Sequence, residues 1–170
     1  FQRHAPELLA SSVTGSGMSV QFQLLGGDPA KLAHAARVAV EAGATAIDLN
    51  FGCPAPTVNR NDGGATLLKY PDRIGTIVRA VKQAIPTHVA LSAKMRLGWD
   101  SDLLLLKNAE AAVEGGIDWL TIHARTRMQG YAPPVDYRPV RTLLNTVGEQ
   151  IPVVANGDLW TLDDVKRCQD

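Results

Sequence analysis

The sequence predicts an α/β fold, about five βα units of a (β/α)8 TIM barrel present as a truncated piece. Three observations carry this expectation. Short apolar runs begin near residues 20, 46, 89, 117 and 151. Each is followed by a stretch of helical periodicity, the pattern of parallel strands joined by covering helices. Each run also ends in polar or charged residues. A barrel gathers such strand ends at one mouth, whereas a doubly wound sheet concentrates them at a single switch point.

The elements follow in order. Pro6–Ala10 could open a short helix and Thr14–Gly17 reads as a loop. Gly15 and Gly17 lack the third glycine and the following helix of a dinucleotide fingerprint. Val20–Leu25 is the first strand, with Gln21 and Gln23 on one face. Asp28-Pro29 supplies an N-cap and a first helical residue, Leu32, Ala35, Ala36 and Ala39 share a face, and Gly43 ends the helix. In the second strand Ile47 and Leu49 alternate with Asp48 and Asn50, before the chain breaks at Phe51-Gly52-Cys53-Pro54. A long loop then runs through Asp62-Gly63-Gly64-Ala65 to a helix from Pro71, striped by Ile74, Ile77, Val78 and Val81.

Val89–Met95 forms the third strand, with Ser92, Lys94 and Arg96 on a common face. Its helix holds Leu105, Ala109, Ala112 and Val113 and closes at Gly115-Gly116. Trp119–His123 is the fourth strand, followed by Arg125, a loop through Gly130-Tyr131 and a helix around Tyr137–Asn145. Pro152–Ala155 is the fifth strand and ends in Asn156-Gly157-Asp158. Thr161 and Asp164 have capping-box spacing at the start of a last helix.

The chain has 170 residues, 45% of them hydrophobic, enough for one domain with a core. Basic and acidic residues number 17 each, so any case for nucleic acid rests on local clustering and not on net charge. Two cysteines exclude a disulfide framework and suit a reducing compartment, hence a cytoplasmic location. No apolar run reaches membrane-spanning length and no signal peptide is visible. Five βα units cannot close an eight-stranded barrel, so residues 1–170 are expected to be a truncated barrel lacking units at both ends.

Convergence of the strand ends would bring together Gln23, Asn50, Cys53, Lys94, Arg96, His123, Arg125, Asn156, Gly157 and Asp158. An unpaired Lys94 in an apolar strand is costly, which favours an anion or an electron-rich ring as its partner over simple snorkelling. His123 reads either as a functional strand-end residue or as a satisfied core histidine. Cys53 reads either as a reactive thiol on a loop or as a packed cysteine. Asn156-Gly157-Asp158 suits backbone approach to a ligand, or is an ordinary turn. Asp62–Ala65 is a lid or a turn. Lys94, Arg96, Arg125 and Arg127, with Arg60 and Lys69, could line a positive rim for phosphate or RNA, or be solvated loop charge. No His/Cys cluster has zinc spacing, so no metal is expected. Cys168, in a terminal helix, is expected to be inert.

Taken together, Asp48–Pro54, Thr57-Val-Asn59, Gly63-Gly-Ala65, Leu67-Leu-Lys69, Lys94–Gly98, His123-Ala-Arg-Thr126 and Asn156-Gly-Asp158 resemble the signature of bacterial tRNA-dihydrouridine synthases. Gly63–Lys69, Gly98-Trp-Asp100 and Gln129-Gly-Tyr131 are most similar to the C subfamily, which acts at position sixteen of the D-loop. The resemblance implies an FMN-containing (β/α)8 barrel with a small helical tRNA-binding domain. In such enzymes NADPH reduces the flavin, a hydride passes to C6 of a flipped-out uracil, and a cysteine at the position of Cys53 protonates C5. It further implies that Gln23, Lys94, His123 and Asn156-Gly157-Asp158 hold FMN, with Asn50, Arg96 and Arg125 oriented toward the uracil. The family's first strand, eighth strand and helical domain have no counterpart here, so the fragment is expected to bind FMN weakly or not at all and to lack activity alone. The full-length protein is expected to be a monomer. The competing expectations are a dihydroorotate dehydrogenase-like FMN barrel and a non-catalytic RNA-binding barrel.

Overall fold

The computed structural model describes residues 20–169, and the expectations for Pro6–Ala10 and Thr14–Gly17 lie outside them. Five strands form one parallel sheet: β1 (Phe22–Leu24), β2 (Ala46–Phe51), β3 (Ala90–Arg96), β4 (Trp119–His123) and β5 (Val153–Asn156). Their spatial order is their chain order. A doubly wound sheet reverses direction part-way across; this one does not, so it is a run of consecutive barrel units.

The apolar face of each strand explains the layering. Ile47, Leu49 and Phe51 of β2, Leu91, Ala93 and Met95 of β3, and Leu120 and Ile122 of β4 are all buried. They meet the apolar stripes of α1 (Pro29–Glu41), α3 (Pro71–Ala84), α4 (Leu105–Gly115) and α5 (Arg138–Val147). Each large side chain buried this way contributes about 1.5–3 kcal/mol. The helices pack in sequence, α1 on α3, α3 on α4 and α4 on α5. Ile74, Ile77, Val78 and Val81 of α3 are wholly buried, as their spacing predicts. Gly115 lets α4 approach closely, since a Cβ there would lie 2.7 Å from the Val78 side chain.

The ends of the helices are set as expected. Asp28 accepts from the Lys31 N–H at 2.9 Å to begin α1. At α6 (Leu162–Gln169) the capping box closes in both directions: the Asp164 N–H donates to Thr161 Oγ1 at 3.1 Å and the Thr161 N–H to Asp164 Oδ2 at 2.7 Å.

The long loop between β2 and α3 departs from expectation. It contains a short α2 (Pro56–Arg60) and a 3₁₀ helix (Gly64–Lys69) whose first five residues are buried. Ala65, Leu67 and Leu68 plug the core beside β2, β3 and α3. The Asn108 side chain ties this segment to α4 by donating to the Leu68 carbonyl at 2.9 Å. A six-residue 3₁₀ helix is too short for apolar periodicity to reveal it. The Asp62–Ala65 stretch is therefore no free lid.

Candidate active site

On the opposite face of the sheet the polar residues fall into register. Gln23 lies beside Asp48 and Asp48 beside Ser92; Asn50 lies beside Lys94; Arg96 lies beside His123 and His123 beside Asn156. Parallel strands put all these ends at one edge, so the sequence-expected residues do come together. What they do there differs from one to the next.

Cys53 stands just beyond β2, half-buried, on a loop held from several sides. Asn50 Oδ1 accepts from both the Gly52 and Cys53 N–H groups at 2.9 Å, an Asx turn that starts the loop. The Cys53 carbonyl accepts from the Ala65 N–H and from Asn59 Nδ2, both at 3.0 Å. Gly64 sits against the cysteine with φ near 59°, where an added Cβ would come within 3.0 Å of the Cys53 Cβ. The backbone on both sides of the thiol is thus fixed.

Gln23 and Asn50, expected at cofactor and substrate, use their amides within the protein. Asn50 Nδ2 donates to Gln23 Oε1 at 2.9 Å, and Gln23 Nε2 donates to Asp48 Oδ2 at 2.6 Å. Asp48 in turn accepts from Ser92 Oγ at 2.5 Å, and Gln21 donates to Ser92. This chain of side chains, buried at Asp48 and Ser92, runs across β1, β2 and β3 and orients Asn50 for the Cys53 loop.

Arg96 and Arg125 are only 3% and 2% exposed, with their guanidinium groups already engaged. Arg96 donates to the carbonyls of Gly52 at 3.0 Å, Thr126 at 3.2 Å and Gly130 at 2.7 Å, and its Cζ lies 5.3 Å from the centre of the Tyr131 ring. Burial, above all, lowers its affinity for a proton. Arg125 holds Asp158 through two bonds, at 3.0 and 2.5 Å, and donates to the Ala132 carbonyl at 2.8 Å. Both arginines join loops. Arg127 donates to Asn59 Oδ1 and stands 4.7 Å from the centre of the Trp99 ring, where Lys69 also approaches at 4.2 Å. Of the expected positive rim, three arginines are thus committed to internal contacts.

Lys94 and His123 are different. Lys94 is half-buried and has no hydrogen-bond or ion-pair partner among the described residues. Burial, then the charge of Arg96, lowers its pKa, partly offset by Asp48. His123 is buried, its ring set edge-on to Tyr131, and its Nδ1 has no hydrogen-bond partner among the described residues. Burial first, then the positive charges of Arg96, Lys94 and Arg125, lower its pKa to about 4. A buried unsatisfied polar atom costs about 1–3 kcal/mol, so this nitrogen points to a partner beyond the described residues. Below it, Gly157 has φ near 126°, and a Cβ there would lie 3.6 Å from the His123 ring. Asn156 is exposed, and its carbonyl accepts from the Ala124 N–H at 2.9 Å.

The depressed pKa of His123 has a direct consequence. The folded state holds the ring neutral while an unfolded histidine protonates near 6.5, so the stability this gives is complete above about 6.5 and disappears as the pH falls through about 4. In a ring-proton NMR titration, the His123 signal is expected to stay fixed from pH 8 to 5.5. A midpoint near 6.5 would show that the ring is not buried as described.

Sequence reasoning missed Asn59 as an individual site residue. It holds the carbonyls of Cys53 and Gly63 at once, and its partners range from four to 68 positions away. No local pattern announces such a residue.

Comparison with known proteins fits this geometry. Residues 2–170 match the family model described as dihydrouridine synthase. The chain is 47% identical over 170 residues to a tRNA-dihydrouridine(16) synthase of Pseudomonas putida, covering all of this chain and 52% of the relative. It is 45% identical to that of Shewanella oneidensis, over 99% of this chain and 53% of the relative, and 47% identical to that of Neisseria meningitidis serogroup A, over 95% and 48%. The chain therefore spans about half the length of these relatives. Among solved structures, a putative deoxyribose-phosphate aldolase from Toxoplasma gondii superimposes with a TM-score of 0.63 at 17% identity, over 91% of this chain and 58% of that one. A phosphonopyruvate hydrolase gives 0.59 at 14%, over 96% and 56%. Those two likenesses concern the fold alone, whereas the match along the sequence is specific: the chain belongs to the dihydrouridine synthase family, most like its members that act at position 16.

Proposed function

We propose that this chain carries the chemical half of an enzyme that reduces uridine 16 in the tRNA D-loop to 5,6-dihydrouridine, with FMN as cofactor, NADPH as electron donor and Cys53 as the acid. One observation carries the reading: an unpartnered Lys94 and an orphaned His123 Nδ1 stand at the same sheet edge as a thiol whose backbone is pinned. The names of the relatives supply the substrate class.

The residues present fit a flavin. Lys94 is a cation free to face an electron-rich ring edge, and His123 has a buried nitrogen to satisfy. Lys94 and His123 would hold it, with Gln23, Asn156, Gly157 and Asp158 around them. Bound there, FMN supplies a hydride for C6 of the uracil after reduction by NADPH.

The chain's own part is positional and acid–base. Asn50, in register beside Lys94, and the Arg96 and Arg125 clamps hold the loops around the space a flipped-out base would occupy. Cys53 gives the thiol proton to C5, and the resulting thiolate regains a proton from solvent. Hydride at C6 and proton at C5 together saturate the C5–C6 bond, so the step balances. The residues 1–170 act here as part of a larger barrel, completed by further strands and a helical tRNA-binding domain, in the cytoplasm.

The test is restoration. In a strain lacking the gene, the intact gene is expected to restore dihydrouridine at position 16, read by nucleoside mass spectrometry of purified tRNA. Absence of restoration, with dihydroorotate turnover by the purified protein, would move the assignment to a different pyrimidine oxidoreductase.

A further inference from the structure

We infer that Asn59 is a positioning residue for Cys53, and that Arg127 and Trp99 fix it in that role; the inference rests on the acid role proposed for Cys53. The amide of Asn59 has three partners of unambiguous type. At one end stand the carbonyls of Cys53, at 3.0 Å, and Gly63, at 3.1 Å. Carbonyls only accept, so that end is the NH₂. At the other end the Arg127 Nε–H, which only donates, lies 3.1 Å away, so that end is the oxygen. The orientation is therefore forced, and one side chain bridges the acid's own carbonyl to the Gly63-Gly64 pad beneath it.

The bridge is itself anchored. Thr66 Oγ1 donates to the Asn59 carbonyl at 3.1 Å, joining α2 to the buried 3₁₀ helix. Arg127, from the loop after β4, packs on Trp99, from the loop after β3, and the Arg127 and Met128 N–H groups bond the carbonyls of Gly98 and Trp99, both at 2.9 Å. The loops following β2 and β4 thus meet at a single amide, and the loop following β3 braces it through Arg127. Asn50 fixes the amide before the thiol and Asn59 the carbonyl after it. The remaining freedom of Cys53 is rotation of its side chain, which is what delivery of a proton to one carbon needs.

Asn59→Asp tests this in the intact protein, because it keeps the shape and the acceptor for Arg127 but sets a carboxylate oxygen against two carbonyls. We expect kcat to fall at least about tenfold, with flavin content and the KM for tRNA essentially unchanged. The alkylation rate of Cys53 by iodoacetamide, mapped by peptide mass spectrometry, should change along with it. In a Cys53→Ala background the same substitution should lower the residual rate no further, since the residue acts through the thiol. Unchanged kcat, or an equal added loss without the thiol, would overturn the inference. If Asn59→Asp does not fold, Arg127→Met decides. It should lower kcat by about threefold and show the same dependence on Cys53, on the physical ground that an unheld amide loses orientation; unchanged kcat would overturn it. Full rate in Cys53→Ala alone would instead sink the proposed function, and would do so before any Asn59 variant is made.

Discussion

Cys53→Ala in the intact protein is expected to lower the rate of uridine reduction by about 10²–10⁴-fold, the usual worth of a placed general acid. Flavin content and tRNA affinity should stay near wild type, because the substitution touches no other bond of the loop. The Cys53 N–H and carbonyl remain on Asn50, Asn59 and Ala65, and Gly64 remains beneath the Cβ that alanine keeps. Single-turnover reduction of the bound flavin by NADPH, measured apart from its reoxidation by tRNA, separates the steps. Flavin reduction should proceed as before and reoxidation by tRNA should slow. A loss smaller than about threefold would remove Cys53 from the chemistry, and a loss of flavin would make its role structural.

The architecture was legible because barrel units are local objects. A strand such as Ala46–Phe51 and a helix such as Pro71–Ala84 show their own period, and their order in the chain is their order in the sheet. Lys94 was legible for a related reason, since an unpaired cation inside an apolar run is anomalous whatever surrounds it. The roles of the other charged strand ends were not. Arg96 and Arg125 read as groups facing a ligand because sequence shows their charge and hides their partners, which are loop carbonyls and a carboxylate seven to 44 positions away. Asn59 is the extreme case. Its function is entirely a matter of which carbonyls surround it, and a polar residue in a loop carries no mark of that.

The mouth of this sheet therefore divides into groups that build and groups that are left open. The Asp48–Gln23–Asn50 chain, Arg96, Arg125 with Asp158, and Asn59 with Arg127 are closed within the protein. Lys94 and the His123 Nδ1 have no such partner among the described residues. A salt bridge buried at one end, such as Arg125–Asp158, adds little net stability, but losing the carboxylate would leave a buried guanidinium unpaired, so it favours one loop arrangement over its competitors. The same holds for Arg96, where the partners are neutral and the geometry is stricter. Rigid loops around two unsatisfied polar groups are what a site needs if binding is not to be offset by ordering the protein.

Arg96→Lys should be among the most damaging charge-preserving changes in the chain. A guanidinium presents five donors in a fixed fork, and Arg96 uses it to hold Gly52, Thr126 and Gly130 together while its face lies against Tyr131. An ammonium on a flexible stem cannot reach the same three carbonyls, and each buried acceptor left open costs about 1–3 kcal/mol. The expected result is a loss of roughly 2–5 kcal/mol in denaturant unfolding, and a fall in kcat of at least about tenfold as the Gly52-Cys53 segment loosens. The KM for tRNA should move much less. Had Arg96 gripped the uracil or a phosphate directly, lysine would keep the charge, stability would hold, and the KM would rise. The two outcomes separate cleanly because the residue is buried and its Nε and Nη1 donors are already spent on three loop carbonyls. What it can lose on substitution is the tie between the loop that carries Cys53 and the loop after β4.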